Sequence, residues 1–235
     1  MRQIILDTET TGLRVEDGHR VIEIACLEMI ERKLTGKHFH QFTNPEREVE
    51  AGAQAVHGIT NAFLHDKPIF RNIAKELMDF ISGSELIIHN APFDLSFLNN
   101  ELHLTQQKWK SISDYCGVID TLQIARQRHA GQRNSLDALC KRYGVDNSKR
   151  DWHGALLDAH LLAQVYLAMT GGQGSFFDSM NQNQPMTPKN SQTVASMPIT
   201  KHDLVVLRAT DDEVNEHKAY LETLRKQGKC IWSDD

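Results

Sequence analysis

The 235-residue chain is poor in cysteine and has no long apolar run. Its cysteines are Cys26, Cys116, Cys140 and Cys230. They show no CxxC-like spacing, which argues against a zinc cage or a disulfide framework and suits a reducing compartment. No apolar stretch approaches the roughly 20 residues of a membrane span, and Asp7 follows the apolar residues 4–6 too soon for a signal peptide. We therefore expect a cytoplasmic protein with no membrane partner.

Basic residues are not in excess either. Lys and Arg together number 26 against 31 Asp and Glu, which gives a net charge of −5 with histidine neutral. A protein that grips long nucleic acid through its phosphates is expected to be basic. The charge balance therefore excludes a strong independent binder of DNA. The hydrophobic fraction of 40% and the charged fraction of 24% are those of an ordinary globular protein.

Residues 1–170 alternate between strand-like and helix-like segments. The early segments 3–8, 21–30 and 37–43 are rich in β-branched and aromatic residues without a helical pattern between them, which predicts an antiparallel meander. Further along we expect helices over 72–81, 94–102, 135–143 and 155–169 and short strands over 85–89 and 118–120. This order predicts an α/β fold, with a mixed sheet flanked by helices.

The composition changes after residue 170. Residues 171–200 contain only two charged residues, Asp178 and Lys189, among Gly, Ser, Asn, Gln, Pro and Met. Such a stretch cannot bury enough apolar surface to fold alone. We therefore expect a flexible linker between a domain of residues 1–170 and a C-terminal segment of residues 201–235.

The C-terminal segment carries a helix signal of its own. Thr210 and Glu213 form a capping-box pattern, and an apolar stripe that includes Val214 and Leu221 follows at helical spacing. A segment of this length is too short for an independent core, so the stripe predicts docking on a partner. Folding back onto the first domain is the alternative.

The first chemical signal is the pair Asp7 and Glu9 near the end of the first predicted strand. Strand periodicity places both on the same face as Ile5, about 6–7 Å apart along the strand. Neighbouring carboxylates repel each other, and a divalent cation that prefers oxygen ligands, Mg²⁺ or Mn²⁺, removes that repulsion. The alternative is a strand end that frays into the polar turn at residues 10–12.

A further acid, Asp158, lies on the apolar stripe of the helix predicted over 155–169, where a carboxylate needs a partner. The alternative is that Asp158 lies at the solvent edge and favours the helix N-terminus by its charge. His153 comes five residues earlier, and Gly154 lets the chain bend between them. We expect His153 on the loop before the helix, as a base that deprotonates a water, although an exposed histidine without a role has the same sequence.

A third pattern, His89-Asn90-Ala91-Pro92-Phe93-Asp94, follows the strand predicted over 85–89. Asp94 is placed to cap the N-terminus of the helix over 94–102, and capping alone would account for it. A functional role at the carboxyl end of the strand is compatible with capping. We interpret His89 and Asn90 as residues that structure the loop.

Together these patterns resemble the three exonuclease motifs of the DEDDh family. The motifs read Asp7-Thr8-Glu9-Thr10-Thr11-Gly12, His89-Asn90-Ala91-Pro92-Phe93-Asp94 and His153-Gly154-Ala155-Leu156-Leu157-Asp158. The resemblance covers about residues 1–170 and implies a ribonuclease-H-like fold, with a mixed five-stranded sheet, and 3′→5′ exonuclease activity. Within the family, residues 133–140 and 167–173 are most similar to the epsilon proofreading subunits of bacterial DNA polymerase III.

The resemblance implies a role for each matched residue. Two divalent cations, Mg²⁺ or Mn²⁺, would bind in the site. Asp7, Glu9 and Asp158 would hold the catalytic metal and touch the substrate, and Asp7 would bridge to the second ion. Asp94 would support that second ion through water. His153 would be the general base.

Residues 56–59 also match the family, and the resemblance implies that His57 contacts the terminal nucleotide. One position departs from the pattern. Where family members place a glutamate five residues before this histidine, this chain has Gly52, with Glu50 close by. A side-chain contact from position 52 to the terminal sugar is therefore not expected.

The resemblance extends to partners, beginning with a single-stranded or frayed 3′ DNA end as substrate. Gln173, Phe176 and Phe177, within residues 173–177, resemble the short motif by which replication proteins bind the sliding clamp, and a chance match is the alternative. Residues 201–235 are similar to the epsilon segment that binds the polymerase III alpha subunit. Some relatives also bind a small theta-like subunit.

Two other functions remain open from the sequence. An RNA-trimming exonuclease would carry the same catalytic set, although it would have no need of the linker and the C-terminal segment. A non-enzymatic scaffold could keep the fold, although the five filled catalytic positions argue against it.

Overall fold

The computed structural model describes residues 1–148, 153–171 and 209–227. The chain divides into two compact units, Met1–Asn183 and Gln184–Asp235. Residues 172–200 of the predicted linker, the clamp-binding residues Gln173, Phe176 and Phe177, and the strand-like stretch 203–207 lie outside the described residues.

The first unit contains a five-stranded sheet with strand order β3-β2-β1-β4-β5. The strands are β1 (Arg2–Thr10), β2 (Val21–Ile30), β3 (Lys33–Phe42), β4 (Glu85–Ile88) and β5 (Gly117–Asp120). Strand β1 pairs antiparallel with β2 and parallel with β4, while β2–β3 is antiparallel and β4–β5 is parallel. The sequence-based prediction of a mixed sheet that begins with an antiparallel meander is confirmed.

The third strand begins at Lys33, four residues earlier than the sequence pattern indicates. Ile30 pairs with Lys33, so Glu31 and Arg32 alone form the turn between β2 and β3. Both turn residues have positive φ, 50° and 64°. A two-residue hairpin of this kind usually carries Asn or Gly, and their absence hid the turn.

Seven helices are described in the first unit. They are α1 (Ala51–His57), α2 (Asn61–Leu64), α3 (Phe70–Ile81), α4 (Ala91–Leu104), α5 (Thr121–Arg128), α6 (Leu136–Tyr143) and α7 (Ala155–Thr170). Ser135 caps α6 by accepting a hydrogen bond from the Ala138 amide, and Gly144 ends that helix with φ 68°, as the sequence predicts. Helices α1, α2 and α5 were not predicted.

The helices cover both faces of the sheet. Ile4 and Leu6 of β1 pack with α3 and α4 in one apolar cluster, whereas Ile5 packs with α6 and α7 in another. The three described cysteines, Cys26, Cys116 and Cys140, are buried in these two clusters and form no disulfide. Because β1, β4 and β5 are parallel, their carboxyl ends meet at one edge of the sheet, where open α/β sheets bind ligands.

In the second unit the described residues include one helix, α8 (Asp211–Gln227). Thr210 Oγ1 accepts from the Glu213 amide, and Glu213 Oε2 accepts from the Thr210 amide at 2.8 Å. The predicted capping box is confirmed. None of the helices in the described ranges has the length and apolar character that crossing a bilayer requires.

Candidate active site

A cleft of about 860 Å³ opens at the carboxyl ends of β1, β4 and β5. Its volume lies within the usual range of ligand sites. The five residues that sequence analysis assigns to catalysis all line it: Asp7, Glu9, Asp94, His153 and Asp158. They come from three separate stretches of the chain, which only the folded sheet and its helices bring together.

Strand β1 supplies Asp7 and Glu9. Burial alternates along the strand: Leu6, Thr8 and Thr10 are buried, and the two acids between them are partly exposed. This is the period of two that places both acids on the face of Ile5. The β1–β2 register shifts between Glu9 and Thr10, so a bulge lies directly beside the second acid. Such irregularities commonly adjust the aim of side chains at active sites.

The start of α7 supplies His153 and Asp158. Gly154 is the extended N-cap residue, so His153 lies on the loop before the helix, as expected, while Asp158 lies in the first turn and is 4% exposed. The His153 amide donates to the Val56 carbonyl at 3.1 Å, which ties this loop to the end of α1. His153 Nδ1 lies 3.3 Å from Asp158 Oδ2. This contact holds the imidazole ring against the first turn of α7.

The interpretation of Asp94 as a helix N-cap is wrong. Helix α4 begins at Ala91, three residues earlier, and its N-cap is Asn90, with φ 67°. Asp94 lies within the first turn and is 3% exposed, and Thr8 Oγ1 donates to its Oδ1 at 2.7 Å. Burial raises the pKa of Asp94 to about 7, against the opposing effect of the Thr8 hydroxyl. The carboxyl is therefore a buried group that a nearby cation would favour in its charged form.

The residues before Asp94 structure the loop, as predicted. His89 Nδ1 lies 2.9 Å from Thr121 Oγ1, and the Asn90 amide donates to Asp120 Oδ1 at 3.1 Å. Burial lowers the pKa of His89, so its ring is neutral near pH 7. These contacts join the ends of β4 and β5 and thereby fix where α4 begins.

His57 ends α1 and is buried, beside a second cavity of about 330 Å³ that shares Glu9 and Phe93 with the main cleft. His57 Nδ1 accepts from the Ile59 amide at 3.0 Å. Burial lowers the pKa of His57, and His153 lowers it further. His57 is thus a buried histidine with a lowered pKa, and it lines the same cavity as Glu9.

Gly52 lines the same second cavity, and no heavy atom lies within 4 Å of the position that a Cβ would occupy. The departure from the family pattern therefore leaves open space at the wall. Glu50 also lines this cavity, and its Oε1 lies 3.1 Å from His19 Nε2. The carboxylate nearest to the position of the expected glutamate is thus held by a buried histidine.

The donor set in the cleft fits a divalent cation. One ligand atom each of Glu9, His153 and Asp158 lies within 4.8 Å of the others, and Asp7 and Asp94 line the same cleft. Four carboxylates at one edge raise each other's energy through repulsion, which a cation relieves. Hard oxygen donors favour Mg²⁺, Mn²⁺ or Ca²⁺ over soft metals.

Comparison with known proteins agrees with this geometry. The exonuclease family of RNase T type matches residues 4–166. The DNA polymerase III epsilon subunit of Escherichia coli strain K12 is 46% identical over 236 residues, which cover 98% of this chain and 97% of that protein. The epsilon subunit of Pasteurella multocida is 48% identical over 237 residues, with coverages of 98% and 93%. The chain belongs to the exonuclease family, among the DNA polymerase III epsilon subunits.

This membership confirms the predicted proofreading 3′→5′ exonuclease. The structure of exonuclease X in complex with 5′-overhanging duplex DNA is similar, with a TM-score of 0.56 and 26% identity over 71% of this chain and 90% of that chain. The predicted ribonuclease-H-like fold is confirmed as well. Dependence on divalent metal is a property of this family, in agreement with the acidic cleft.

Phe93 and Arg126 line the cleft without having been assigned to it from the sequence. Phe93 stands inside a recognised motif, whereas Arg126 lies on α5, a helix that was not predicted. The signal for α5 was present, because Asp120 caps it by accepting from the Leu122 amide at 2.9 Å. An aspartate followed by a run of helix-forming residues was sufficient to indicate that helix.

Proposed function

We propose that this exonuclease shortens a single-stranded or frayed 3′ DNA end in the 860 Å³ cleft, and releases nucleoside 5′-monophosphates one at a time. The observation that carries the proposal is the convergence of Glu9, His153 and Asp158 within 4.8 Å at the edge of the sheet. The cleft is lined by several carboxylates, which suits a short stretch of unpaired strand rather than an extended duplex held by its phosphates.

Asp7, Glu9 and Asp158 would hold the catalytic metal, and Asp94 would support a second ion through water. Two bound divalent cations, Mg²⁺ or Mn²⁺, would lower the pKa of a water and neutralise charge on the scissile phosphate and the leaving oxygen. Asp94 is buried and hydrogen-bonded to Thr8, so its carboxylate is fixed in direction before any ion arrives. The rigid strand β1 does the same for Asp7 and Glu9.

His153 would act as the general base. Its ring is partly exposed to the cleft, and Asp158 Oδ2 lies 3.3 Å from Nδ1. The carboxylate orients the ring and stabilises the imidazolium that forms when His153 accepts the proton of a water. The hydrogen bond from the His153 amide to Val56 keeps the loop in place during that transfer.

His57 would contact the terminal nucleotide from the second cavity. The cavity is lined mainly by apolar atoms, with Val56 and Phe93 among its walls, and it adjoins the cleft at Glu9. A base or sugar in this cavity would place its phosphate near the carboxylates. Gly52 leaves room there, so the sugar would be held by groups other than a side chain at position 52.

The relatives of this chain are subunits of DNA polymerase III, and we propose that this chain assembles with that enzyme. Residues 201–235 would bind the alpha subunit, with α8 as the helical part of the contact. Gln173, Phe176 and Phe177 would bind the sliding clamp, and a small theta-like subunit would bind the nuclease unit. Residues 171–200 would act as the tether. A chromosome-replication enzyme of a bacterium works in the cytoplasm.

The test of the activity uses a DNA primer with a mispaired 3′ end and Mg²⁺, and compares the native protein with Asp7→Ala. We expect stepwise release of 5′-monophosphates by the native protein and almost none by the variant. Equal inactivity of both proteins would contradict the enzymatic proposal. Matched RNA and DNA oligonucleotides test the RNA-trimming alternative, which a preference for RNA would favour.

A further inference from the structure

A buried glutamate outside the three motifs contacts the helix that carries the site. Glu23 lies on β2 and is 4% exposed. Its Oε2 accepts a hydrogen bond from the Ala155 amide at 3.1 Å, and its Oε1 lies 2.7 Å from His40 Nε2 on β3. A carboxylate only accepts, so Nε2 of His40 carries the proton of that contact. Both oxygens of Glu23 are therefore engaged by the chain itself.

The Glu23 carboxylate supplies the side-chain acceptor that the N-cap residue of α7 lacks. Gly154 has no side chain, and α7 has no side-chain cap of its own. The first amides of a helix need acceptors from elsewhere, and the positive end of the helix dipole favours a negative charge. Glu23 provides both from the neighbouring strand, 132 residues away in sequence.

The same contact fixes the position of the proposed catalytic groups. His153 directly precedes Gly154, and Asp158 follows in the first turn, where its amide donates to the Gly154 carbonyl at 2.9 Å. Glu23 pairs directly with Glu9 across β1 and β2, and paired residues share a face of the sheet. One rigid strand pair thus holds Glu9 and, through Glu23, the start of α7.

We propose that Glu23, oriented by His40, is a positioning residue that sets the distance between β1 and the first turn of α7. Glu23 acts through Ala155 on His153 and Asp158. The proposal rests on the proposed function, since it assumes that these two residues serve metal binding and proton transfer. Groups that orient metal ligands commonly change metal affinity or activity by about 10- to 100-fold when they are replaced.

Strand β2 contains a matched control. Glu28 is also 4% exposed and accepts from Arg2 Nε at 2.7 Å and from Thr35 Oγ1 at 2.8 Å. It lies five residues further along β2, where it pairs with Ile4 of β1 rather than with Glu9. Replacement of either glutamate by glutamine removes one buried charge from the same strand.

The experiment compares Glu23→Gln with Glu28→Gln in the full chain. It measures kcat and KM on a single-stranded DNA oligonucleotide, Mn²⁺ affinity by calorimetry, amide exchange at residues 155–158 and Tm. Glu23→Gln keeps an acceptor but removes the negative charge beside the positive end of the α7 dipole, so we expect a 10- to 100-fold fall in kcat with little change in KM, weaker Mn²⁺ binding and faster exchange at the Ala155 amide. For Glu28→Gln we expect a lower Tm with unchanged kcat and Mn²⁺ affinity.

A second pair of variants approaches Glu23 from β3, where His40 is partly exposed. His40→Gln keeps a donor near the position of Nε2 and should retain nearly native kcat, whereas His40→Leu should lose kcat and Mn²⁺ affinity in the manner of Glu23→Gln. If Glu23→Gln does not fold, this pair decides the question. Equal effects of Glu23→Gln and Glu28→Gln on Tm, with kcat and Mn²⁺ affinity both native, would overturn the positioning role.

Failure of the proposed function has a different signature. In that case Asp7→Ala would leave the Mn²⁺ affinity of the protein unchanged. Glu23→Gln would then have no effect on exonuclease activity.

Discussion

The charged side chains at the two ends of β1 have opposite surroundings. At the first end, Arg2 donates to the buried Glu28 at 2.7 Å and to the Phe80 carbonyl at 2.6 Å, so that opposite charges meet within the chain. At the last end, Asp7 and Glu9 line a cleft with Asp94 and Asp158, and charges of one sign collect. The strand backbone is continuous through both arrangements.

This difference indicates a structural role for the first end of β1 and a functional role for the last. A compensated pair such as Arg2–Glu28 stabilises the fold, whereas carboxylates of one sign that share a cleft repel each other, and a cation would relieve that repulsion. Replacement of an acid in the cluster should therefore harm activity and spare stability, while replacement at Arg2 or Glu28 should do the reverse. The net charge of −5 fits this view, since four of the acids line one cleft at the edge of the sheet.

The largest effect is expected for Asp7→Asn, which removes one carboxylate from the cluster. Loss of this proposed metal ligand should reduce kcat by about 1,000-fold or more, because a catalytic cation would contribute several kcal/mol to the transition state. Tm without added metal should stay the same or rise, as repulsion is relieved. Exonuclease kinetics and calorimetry in EDTA measure the two quantities. A marked fall in Tm would show instead that Asp7 stabilises the fold, as Arg2 and Glu28 do.

His153→Gln should reduce kcat by about 100- to 1,000-fold, within the range of general-base catalysis. The glutamine can still contact Asp158 but cannot accept the proton at neutral pH. Raising the pH should restore part of the rate, since hydroxide then competes as the base. Rate profiles between pH 6 and pH 10 provide the measurement. A native profile in the variant would show that another group accepts the proton.

Asp94 should make stability depend on pH in the absence of metal. Burial raises its pKa in the folded state to about 7, above the unfolded value near 4, so the folded state binds the proton more tightly. The stability from this group is therefore present below pH 4 and is lost as pH rises toward 7 and beyond. The contribution of Asp94 to the free energy of unfolding is on the order of a few kcal/mol.

Asp94→Asn removes that dependence while it keeps an acceptor for the Thr8 hydroxyl. Denaturant unfolding in EDTA should show that the free energy of unfolding falls more between pH 5 and pH 8 for the native protein than for the variant. Added Mn²⁺ should reduce the fall in the native protein. Identical pH slopes in the two proteins would refute the raised pKa.

The smallest effect is expected at the other end of the strand. Arg2→Met leaves the Glu28 carboxylate with only its Thr35 and Lys37 contacts, and should cost about 1–3 kcal/mol of unfolding free energy with kcat unchanged. Arg2 also lowers the pKa of Glu28, chiefly by its hydrogen bond. The native pair therefore stabilises the fold above pH 5 and loses its effect as pH falls through the lowered pKa. Reduced exonuclease activity in Arg2→Met would contradict the assignment of a purely structural role to this end of β1.

Local patterns in the sequence were sufficient where chemistry and geometry are local. The period of two along β1 places Asp7 and Glu9 on one face, and Ser135 and Thr210 mark helix starts that the structure contains. The bend at Gly154 correctly separates His153 from its helix. The pattern around Asp94 predicts an N-cap incorrectly, because an aspartate before a helical stretch has the same local pattern whether it caps the helix or lies within its first turn.

By itself, the sequence determined the α/β class, the family and five of the residues that line the cleft. Only the tertiary structure decided which groups contact those residues and their helix: Thr8 contacts Asp94, and Glu23, paired with His40, contacts the start of α7. The physical reason is that these contacts join positions 86 and 132 residues apart. Such contacts depend on strand register and helix packing, and neither is written in the residues next to them.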